Sequence, residues 1–234
     1  MEAMRLLKAI YRPVIKRAAC GALVGKNRSR SRAGCGRFSA RDVKAIVAEA
    51  WRNAERRAPN LPEQPTFGSR MNLMLACLCF SMLEGLVSRG VERQYAVELI
   101  ADAAWKVYRK WAMVPMFLAR PLTRDPAERM KICVNAFLRF PFNPPGYQLE
   151  RIPSHRGVTF NIIACPIARY FRQQGAADLC IASWCNLDFA LAQMWGGKLE
   201  RTGTLADGST CCDFHFEATS ATTRLPPCKQ SRTE

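Results

Sequence analysis

The chain has 234 residues, of which 49% are apolar, so it can build a real core as one domain with an extension or as two small domains. Its longest apolar stretch, 71–83, contains Asn72 and ends before Glu84, which makes it too short for a membrane span. The net charge of +16 suggests nucleic acid as a partner, but its uneven distribution argues against a binding face along the whole chain.

The basic charge is concentrated at the start of the chain. Residues 1–39 contain ten lysines and arginines against one acidic residue, which accounts for +9 of the total. The tract 28–32, in which arginine alternates with serine, is polar and basic, so residues 1–38 are predicted to form a flexible, solvated extension. A polyanion-binding arm is the main alternative, and such a start also resembles a transit peptide. Nucleic acid is expected to bind, if at all, only through 1–38.

The cysteine pattern does not match a secreted disulfide framework. There are eleven cysteines, an odd number, and no secretory signal opens the chain. Cys77 and Cys79 fall within an apolar helical stretch, where cysteine behaves as a small hydrophobic residue. No C-x-x-C pair is present, so a zinc finger is not expected. The pattern predicts a cytoplasmic protein with reduced thiols.

Hydrophobic periodicity predicts a helical first half. Ser39 and Asp42 form a capping-box pattern, and the helix that they begin runs to about Arg57. Asp125 followed by Pro126 is typical of a second kind of helix start. The predicted helices of this half are 39–57, 70–88, 91–118 and 125–140.

After residue 146 the period changes to that of strands. The predicted order is strand, strand, helix, helix, strand, strand, over 147–152, 158–163, 165–174, 177–195, 198–205 and 210–216. Asp207-Gly208 predicts a tight hairpin between the last two strands. The fold class is therefore α+β, with a helical half followed by a small, mostly antiparallel sheet. The predicted organisation is a single domain over 39–218, helical in 39–145 and sheet-containing in 146–218, followed by a tail over 219–234.

Cys165 is one candidate nucleophile. It follows a predicted strand and precedes Pro166 at the start of a predicted helix. A thiol there faces the positive end of the helix dipole and free backbone N–H groups, both of which lower the pKa of a cysteine. A buried cysteine at a strand–helix corner is the structural alternative.

Cys185 and Asp188 are three residues apart, so a helix places them on one face. A carboxylate among apolar neighbours needs a partner or a raised pKa. The simplest structural role for Asp188 is an ion pair with a basic residue such as Arg201. Cys180, earlier in the same helix, is expected to belong to the core.

The last predicted strand alternates between two faces. Cys212, Phe214 and Phe216 share the face that is expected to point inward, and Asp213 and His215 share the opposite face. Asp213 and His215 could form an acid/base pair or simply be solvated. Because the chain has only two histidines, a Ser-His-Asp triad or a histidine-rich metal site is hard to build, and no phosphate-binding glycine motif is present.

The second half contains four short motifs in a fixed order. They are Cys165-Pro166, Trp184-Cys185-x-x-Asp188, Glu200-Arg201-Thr202-x-Thr204-Leu205-x-x-Gly208 and Cys212-Asp213-Phe214-x-Phe216. This ordered set resembles the L-2-amino-thiazoline-4-carboxylic acid hydrolase family. The resemblance covers about 157–217 and extends more loosely into the preceding helices.

The resemblance implies hydrolysis of a cyclic isothiourea. Water adds to the ring carbon between sulfur and nitrogen, and the carbon–sulfur bond opens to give N-carbamoyl-L-cysteine. That reaction needs a nucleophile and an acid for the leaving thiolate, so Cys165 or Cys185 is expected to be the nucleophile and Asp188 the general acid/base. Arg201 is expected to bind the substrate carboxylate. The remaining residues of the expected site are the catalytic Cys212 and Asp213 and the substrate-binding Thr202 and Thr204.

Two other functional classes stay open. Cys165, Cys185 and Cys212 with an aspartate could hold zinc or a soft metal, much as organomercurial lyases use cysteines and an aspartate. A polyanion-binding protein would act through its basic first segment. A small-molecule substrate is the expected partner; no cofactor is required, a divalent metal ion stays open, and the sequence does not indicate an oligomeric state.

Overall fold

The computed structural model describes residues 2–154 and 157–219. Except for Thr219, the tail predicted over 219–234 lies outside the described residues. The helices are α1 (Glu2–Leu23), α2 (Ala40–Arg57), α3 (Phe67–Val87), α4 (Arg93–Ala119), α5 (Pro126–Arg139), α6 (Pro166–Gln173), α7 (Ala177–Cys180) and α8 (Leu187–Met194), with a π-helical turn at Ile181–Cys185 between the last two.

The helix starts predicted from local patterns are confirmed. Ser39 caps α2: its Oγ accepts a hydrogen bond from the Asp42 backbone N–H, and the Asp42 carboxylate accepts one from the Ser39 N–H at 2.8 Å. Asp125 caps α5, with Pro126 in the first turn. Each cap satisfies backbone donors that a helix leaves unpaired at its N-terminus.

The second half folds into a four-stranded antiparallel sheet. Its strands are β1 (Gln148–Ile152), β2 (Val158–Ala164), β3 (Gly197–Glu200) and β4 (Cys212–Ala218), in the spatial order β1-β2-β4-β3. The helices α6 to α8 lie between β2 and β3 in the chain. The predicted α+β class and the order of its elements are therefore confirmed.

The tight hairpin predicted at Asp207-Gly208 is wrong. The strand β3 ends at Glu200, and residues 201–211 form a longer loop in which Asp207 and Gly208 lie in a turn. The physical reason is that backbone N–H groups just after β3 bond to a side chain instead of to a neighbouring strand. The N–H groups of Thr202 and Gly203 both donate to the Asp213 carboxylate.

The first segment differs from the flexible extension predicted for 1–38. Residues 2–23 form α1, which continues through Pro13, and its inner stripe is buried against the other helices. Leu7, Tyr11 and Ile15 recur every four residues, which is the spacing of one helix face. Packing of this stripe keeps the helix together across the hydrogen bond that proline removes. The domain boundaries stay a prediction.

Part of the basic charge of this segment is neutralised within the fold. Lys8 pairs with Glu55 at 2.6 Å and Arg28 with Asp42 at 2.7 Å. Arg30 pairs with Glu98. These contacts reduce the charge that is free for a polyanion, and binding through 1–38 stays a prediction.

Two apolar cores meet at the strand–helix corner after β2. The larger lies among α1 to α4, α6 and α7, and the smaller lies between the inner face of the sheet, α5 and α8. Cys165 and Leu205 pack against both. The residues predicted to carry chemistry are therefore near the seam between the two halves.

By length and composition alone, α3 could cross a membrane. Within it, 67% of the apolar window is buried against the rest of the fold, as in the core helix of a soluble protein. This is weak evidence for a membrane span.

Candidate active site

Cys165 is the N-cap of α6, as the sequence predicted. Its Sγ accepts a weak hydrogen bond from the Ala168 backbone N–H at 3.5 Å. The expected lowering of its pKa is wrong: burial raises the pKa of the Cys165 thiol to about 12, and the hydrogen bond at the helix N-terminus offsets only part of that effect. Cys165 is therefore a thiol near neutral pH.

A π-helical turn brings Cys180 and Cys185 together. The Asn186 N–H donates to the Ile181 carbonyl, five residues earlier, at 2.8 Å. This wider turn allows side chains five residues apart to meet, and a hydrogen bond with Cys185, followed by burial, raises the pKa of Cys180. Turns of this kind recur at functional sites.

Asp188 lies in the first turn of α8, next to Cys185. Burial raises the pKa of its carboxyl to about 7, and the attraction of Arg201 opposes that shift. A hydrogen bond from the Tyr108 side chain of α4 also favours the carboxylate. A carboxyl group with a pKa near 7 can both donate and accept a proton at neutral pH.

Arg201 joins the helical turn to the loop after β3. Its side chain is 4% exposed, and the guanidinium lies 3.5 Å from the Asp188 carboxylate. The same group donates to the Cys185 carbonyl at 2.9 Å. Its central carbon lies 4.9 Å from the ring centre of Phe189 and 5.5 Å from that of Phe214. The ion pair expected as the structural role of Asp188 is therefore present.

Cys212 reaches the same neighbourhood from the sheet. It is buried on the inner face of β4 with Phe214, as the alternation predicted, and its Sγ accepts a hydrogen bond from the Leu205 N–H at 3.1 Å. Burial raises its pKa to about 12, and the proximity of Cys185 adds to the shift. The thiols of Cys165, Cys185 and Cys212 therefore converge in the fold.

The fold does not bring the other expected site residues to this cluster. Asp213 points to the opposite face of β4, where it accepts hydrogen bonds from the Thr202 N–H at 2.9 Å, the Thr202 hydroxyl at 2.7 Å and the Gly203 N–H at 2.9 Å. Burial would raise the pKa of Asp213, but these donors outweigh it and the pKa is lowered. Thr204 caps a turn, where its Oγ1 accepts from the Asp207 N–H. Both threonines thus shape the loop 201–211.

The expected pairing of Asp213 with His215 is replaced by other contacts. His215 Nδ1 lies 2.7 Å from the Thr159 hydroxyl on the adjacent strand, and Asp213 is bound by the loop. Within 2–154 and 157–219, no three His, Cys, Asp or Glu side chains are arranged to hold a metal ion. No observation in the described residues therefore favours the thiol-based metal site.

A large apolar cavity lies beside the cluster. Its volume is about 400 Å³, and it is enclosed by α1, α3, α4, α5 and the π-helical turn. None of the residues expected to form the active site lines it. The cavity is lined instead by Tyr108, which is the hydrogen-bond partner of Asp188. It is also lined by Trp184 and Leu187, which directly precede Cys185 and Asp188 in the chain. The cavity and the cluster therefore share a wall.

Sequence reasoning missed Tyr108 and the role of Cys180. Tyr108 is one aromatic residue among several on α4, and only the fold shows that its hydroxyl meets Asp188. The expectation that Cys180 belongs to the core is confirmed, but its contact with Cys185 is not predicted, because residues five apart diverge on a regular α-helix. Two cysteines five residues apart indicate a contact between their thiols only where a π-helical turn is already known.

The comparisons with known proteins agree with the sequence motifs. The profile of the L-2-amino-thiazoline-4-carboxylic acid hydrolase family matches residues 87–216, which is more than half of the chain. That range includes α4, α5, the sheet and all of the cluster, and it excludes α1 and almost all of α3. No curated protein and no solved structure matches the chain.

Proposed function

Because the chain belongs to the L-2-amino-thiazoline-4-carboxylic acid hydrolase family, we propose that it hydrolyses a small isothiourea-type compound at the cluster around Cys185, Asp188 and Arg201. The family name implies hydrolase activity. L-2-amino-thiazoline-4-carboxylate is the first compound to test, and related carbon–sulfur or carbon–nitrogen heterocycles follow.

One observation carries this proposal. A carboxyl group with a pKa of about 7 lies next to a cysteine, and a buried arginine contacts both residues. Burying an ion pair is a poor way to gain stability, since desolvation costs about as much as the pair returns. Its presence beside a thiol supports a role in chemistry.

Cys185 is the better candidate for the nucleophile. Cys165 and Cys212 both have a pKa of about 12, so their thiolates are scarce at neutral pH. Cys185 has a hydrogen-bond contact with the Cys180 thiol on one side, and its carbonyl is held by Arg201, which also contacts Asp188. Asp188 then serves as the general acid and base.

The reaction balances as a double displacement. The Cys185 thiolate adds to the ring carbon between sulfur and nitrogen, and the bond from that carbon to the ring sulfur breaks. Protonated Asp188 gives its proton to the departing sulfur, which leaves an open-chain isothiouronium on Cys185. Asp188, now a carboxylate, takes a proton from water as the water adds to the same carbon. The ring enters in its protonated form; when the Cys185 thiolate leaves, the proton still on the added hydroxyl passes to solvent, and the water oxygen becomes the carbonyl of the N-carbamoyl product.

Arg201 is a positioning residue in this scheme. Three of its five N–H groups are used by the Cys185 carbonyl, the Asn186 side chain and Asp188. It therefore orients the segment that carries the nucleophile and the acid, and binding of the substrate carboxylate by its other N–H groups stays a prediction.

Turnover by single-cysteine variants tests the proposal. Purified, reduced protein is incubated with L-2-amino-thiazoline-4-carboxylate, and N-carbamoyl-cysteine is measured by mass spectrometry. Cys185→Ser is expected to lower turnover by at least about 10²-fold, because a serine hydroxyl is a far weaker nucleophile near pH 7. Cys211→Ser, in a residue that no role is assigned to, is the matched control. A folded Cys185→Ser protein with full turnover would rule out Cys185 as the nucleophile.

The intermediate gives a second readout. Asp188→Asn removes both the acid of the first step and the base of the second. A thiolate can leave without a proton donor far more readily than water can attack without a base, so a short incubation is expected to leave substrate attached to the protein. Intact-protein mass spectrometry would show a mass increase equal to the substrate, absent after Cys185→Ser. Turnover without any adduct in either protein would favour direct attack by water.

A further inference from the structure

The apolar cavity has the chemistry of a separate binding site. Every residue that lines it is described by the structure, and none of them is charged. A volume of about 400 Å³ falls in the range of roughly 300–1,000 Å³ that is usual for small-molecule sites. A zwitterionic ring would lose its hydration here without gaining a charged partner, which is costly. The cavity is therefore suited to an apolar group.

The few polar side chains in the wall are already engaged. Asn72 donates to the Tyr147 hydroxyl at 3.0 Å, the Ser183 hydroxyl donates to the Leu179 carbonyl at 2.6 Å, and the Tyr11 hydroxyl contacts the Met71 sulfur at 3.5 Å. Only the Trp184 indole N–H has no hydrogen bond of good geometry among the described residues. The interior thus offers dispersion contacts and few directional ones.

The cavity opens at an apolar rim. Trp111, Val114, Leu118 and Phe140 line it, yet each is between 42% and 65% exposed. Exposed apolar side chains that continue into a cavity mark a path for an apolar ligand. The rim lies on α4 and at the end of α5.

The rim is flanked by cations. The segment 109–124 contains three arginines and one lysine, the segment 132–147 contains Arg139, and neither contains an aspartate or a glutamate. Lys110 is one helical turn before Val114, and Arg139 is three residues after the cavity-lining Ala136, so each shares a face with the rim. Both are exposed, and neither forms an ion pair with any residue in the described ranges. An anionic head group would find counter-charges there.

We propose that the cavity between α1, α3, α4 and α5 binds a single-chain anionic amphiphile of the fatty-acid class, with its chain inside and its carboxylate at Lys110 and Arg139. Much of the cavity wall comes from α1 and α3, outside the matched family range. The site goes beyond the proposed hydrolysis and does not depend on it.

Binding of cis-parinaric acid, a fluorescent fatty acid, tests the site directly. The wild-type protein is expected to bind one molecule per chain with enhanced fluorescence, and laurate is expected to displace it. Dodecyltrimethylammonium, which has a chain of the same length and the opposite charge, should displace it at least roughly tenfold less well. Equal displacement by the two would overturn the role of the cationic rim.

Two phenylalanine substitutions on one helix separate the cavity from the surface. Ala136→Phe fills the cavity and is expected to weaken binding at least roughly tenfold, whereas Ala127→Phe, on an exposed position of α5, should leave it unchanged. If Ala136→Phe does not fold, Ala104→Phe fills the cavity from α4. Unchanged binding in a folded cavity-filled variant would overturn the proposal.

Two further variants distinguish the cavity from the cluster and from a membrane-contact surface. Cys185→Ser should bind cis-parinaric acid as the wild type does, so a failed hydrolysis assay and a failed binding assay are distinguishable. Lys110→Glu with Arg139→Glu should weaken binding of the fatty acid at least roughly tenfold. If the Ala136→Phe variant binds cis-parinaric acid and co-sediments with phosphatidylglycerol vesicles as well as the wild type does, the rim is a membrane-contact surface and the fatty-acid site is overturned.

Discussion

The apolar cavity and the thiol–carboxylate cluster share a wall but differ in charge and chemistry. The cavity is free of charge, whereas the cluster brings together a carboxylate, a guanidinium and several thiols from the π-helical turn, α8, the loop after β3, the start of α6 and β4. Tyr108 and Trp184 separate them: the first presents its ring to the cavity and its hydroxyl to Asp188. The difference teaches that volume alone does not identify the reactive part of this protein.

Removing the buried cation should give the largest effect on stability. Arg201→Met leaves Asp188 without its counter-charge, which is expected to lower the free energy of unfolding by about 3–5 kcal/mol, as measured by urea denaturation at pH 8. Lys198→Met removes an exposed cation from the surface pairs with Glu200 and Glu217, and it should change stability little. Similar losses in both variants would mean that the Asp188–Arg201 pair is not special.

Asp188 should make stability depend on pH in an unusual direction. Its pKa is about 7 in the folded protein against an ordinary value of 3.8, so the folded state binds more protons between these values. The free energy of unfolding therefore falls as pH rises from about 4 to 7, on the order of 4 kcal/mol at most. Asp188→Asn should flatten that slope in urea titrations over the same range. An identical slope in the variant would contradict burial of the carboxyl group.

Asp213 should show the opposite sign and a smaller effect. Its lowered pKa means that its hydrogen bonds to the loop stabilise the fold above about pH 4 and are lost as pH falls through the folded pKa. Asp213→Ala is expected to cost about 2 kcal/mol at pH 7, because it removes three charge-assisted contacts. If the Asp213→Ala variant keeps its fold but loses all turnover, Asp213 belongs to the reactive cluster.

Local signals predicted much of this fold. The capping box at Ser39, the start at Asp125 and the inward face of β4 all depend on contacts between near neighbours, and all are confirmed. The predictions that were wrong concern segments whose structure depends on contacts between residues distant in sequence. The stripe of α1 is buried by packing against other helices of the first half, and backbone N–H groups of the loop after β3 donate to the carboxylate of Asp213 on a different strand.

The fold brings some of the expected site residues together, and whether they form the active site stays a prediction. Cys165, Cys185, Asp188, Arg201 and Cys212 do converge, but the effect of the helix N-terminus on Cys165 was judged without its burial. A helix N-terminus stabilises a nearby charge modestly, whereas removing a thiolate from water costs more. Which of these two effects on the pKa of Cys165 is larger depends on the residues that pack around the thiol, and these are known only from the fold.

The π-helical turn at 181–185 has a consequence for chain length. An α-helix rotates by about 100° for each residue, and the wider turn accommodates one residue more than a regular helix would. Deleting one residue from 181–185 could restore an unbroken helix, but Cys180 would then swing by about 100° around the axis relative to Asp188. The orientation of Cys180 relative to Asp188 therefore depends on the number of residues in the turn. Deleting one of them is expected to disturb the cluster more than most substitutions there would.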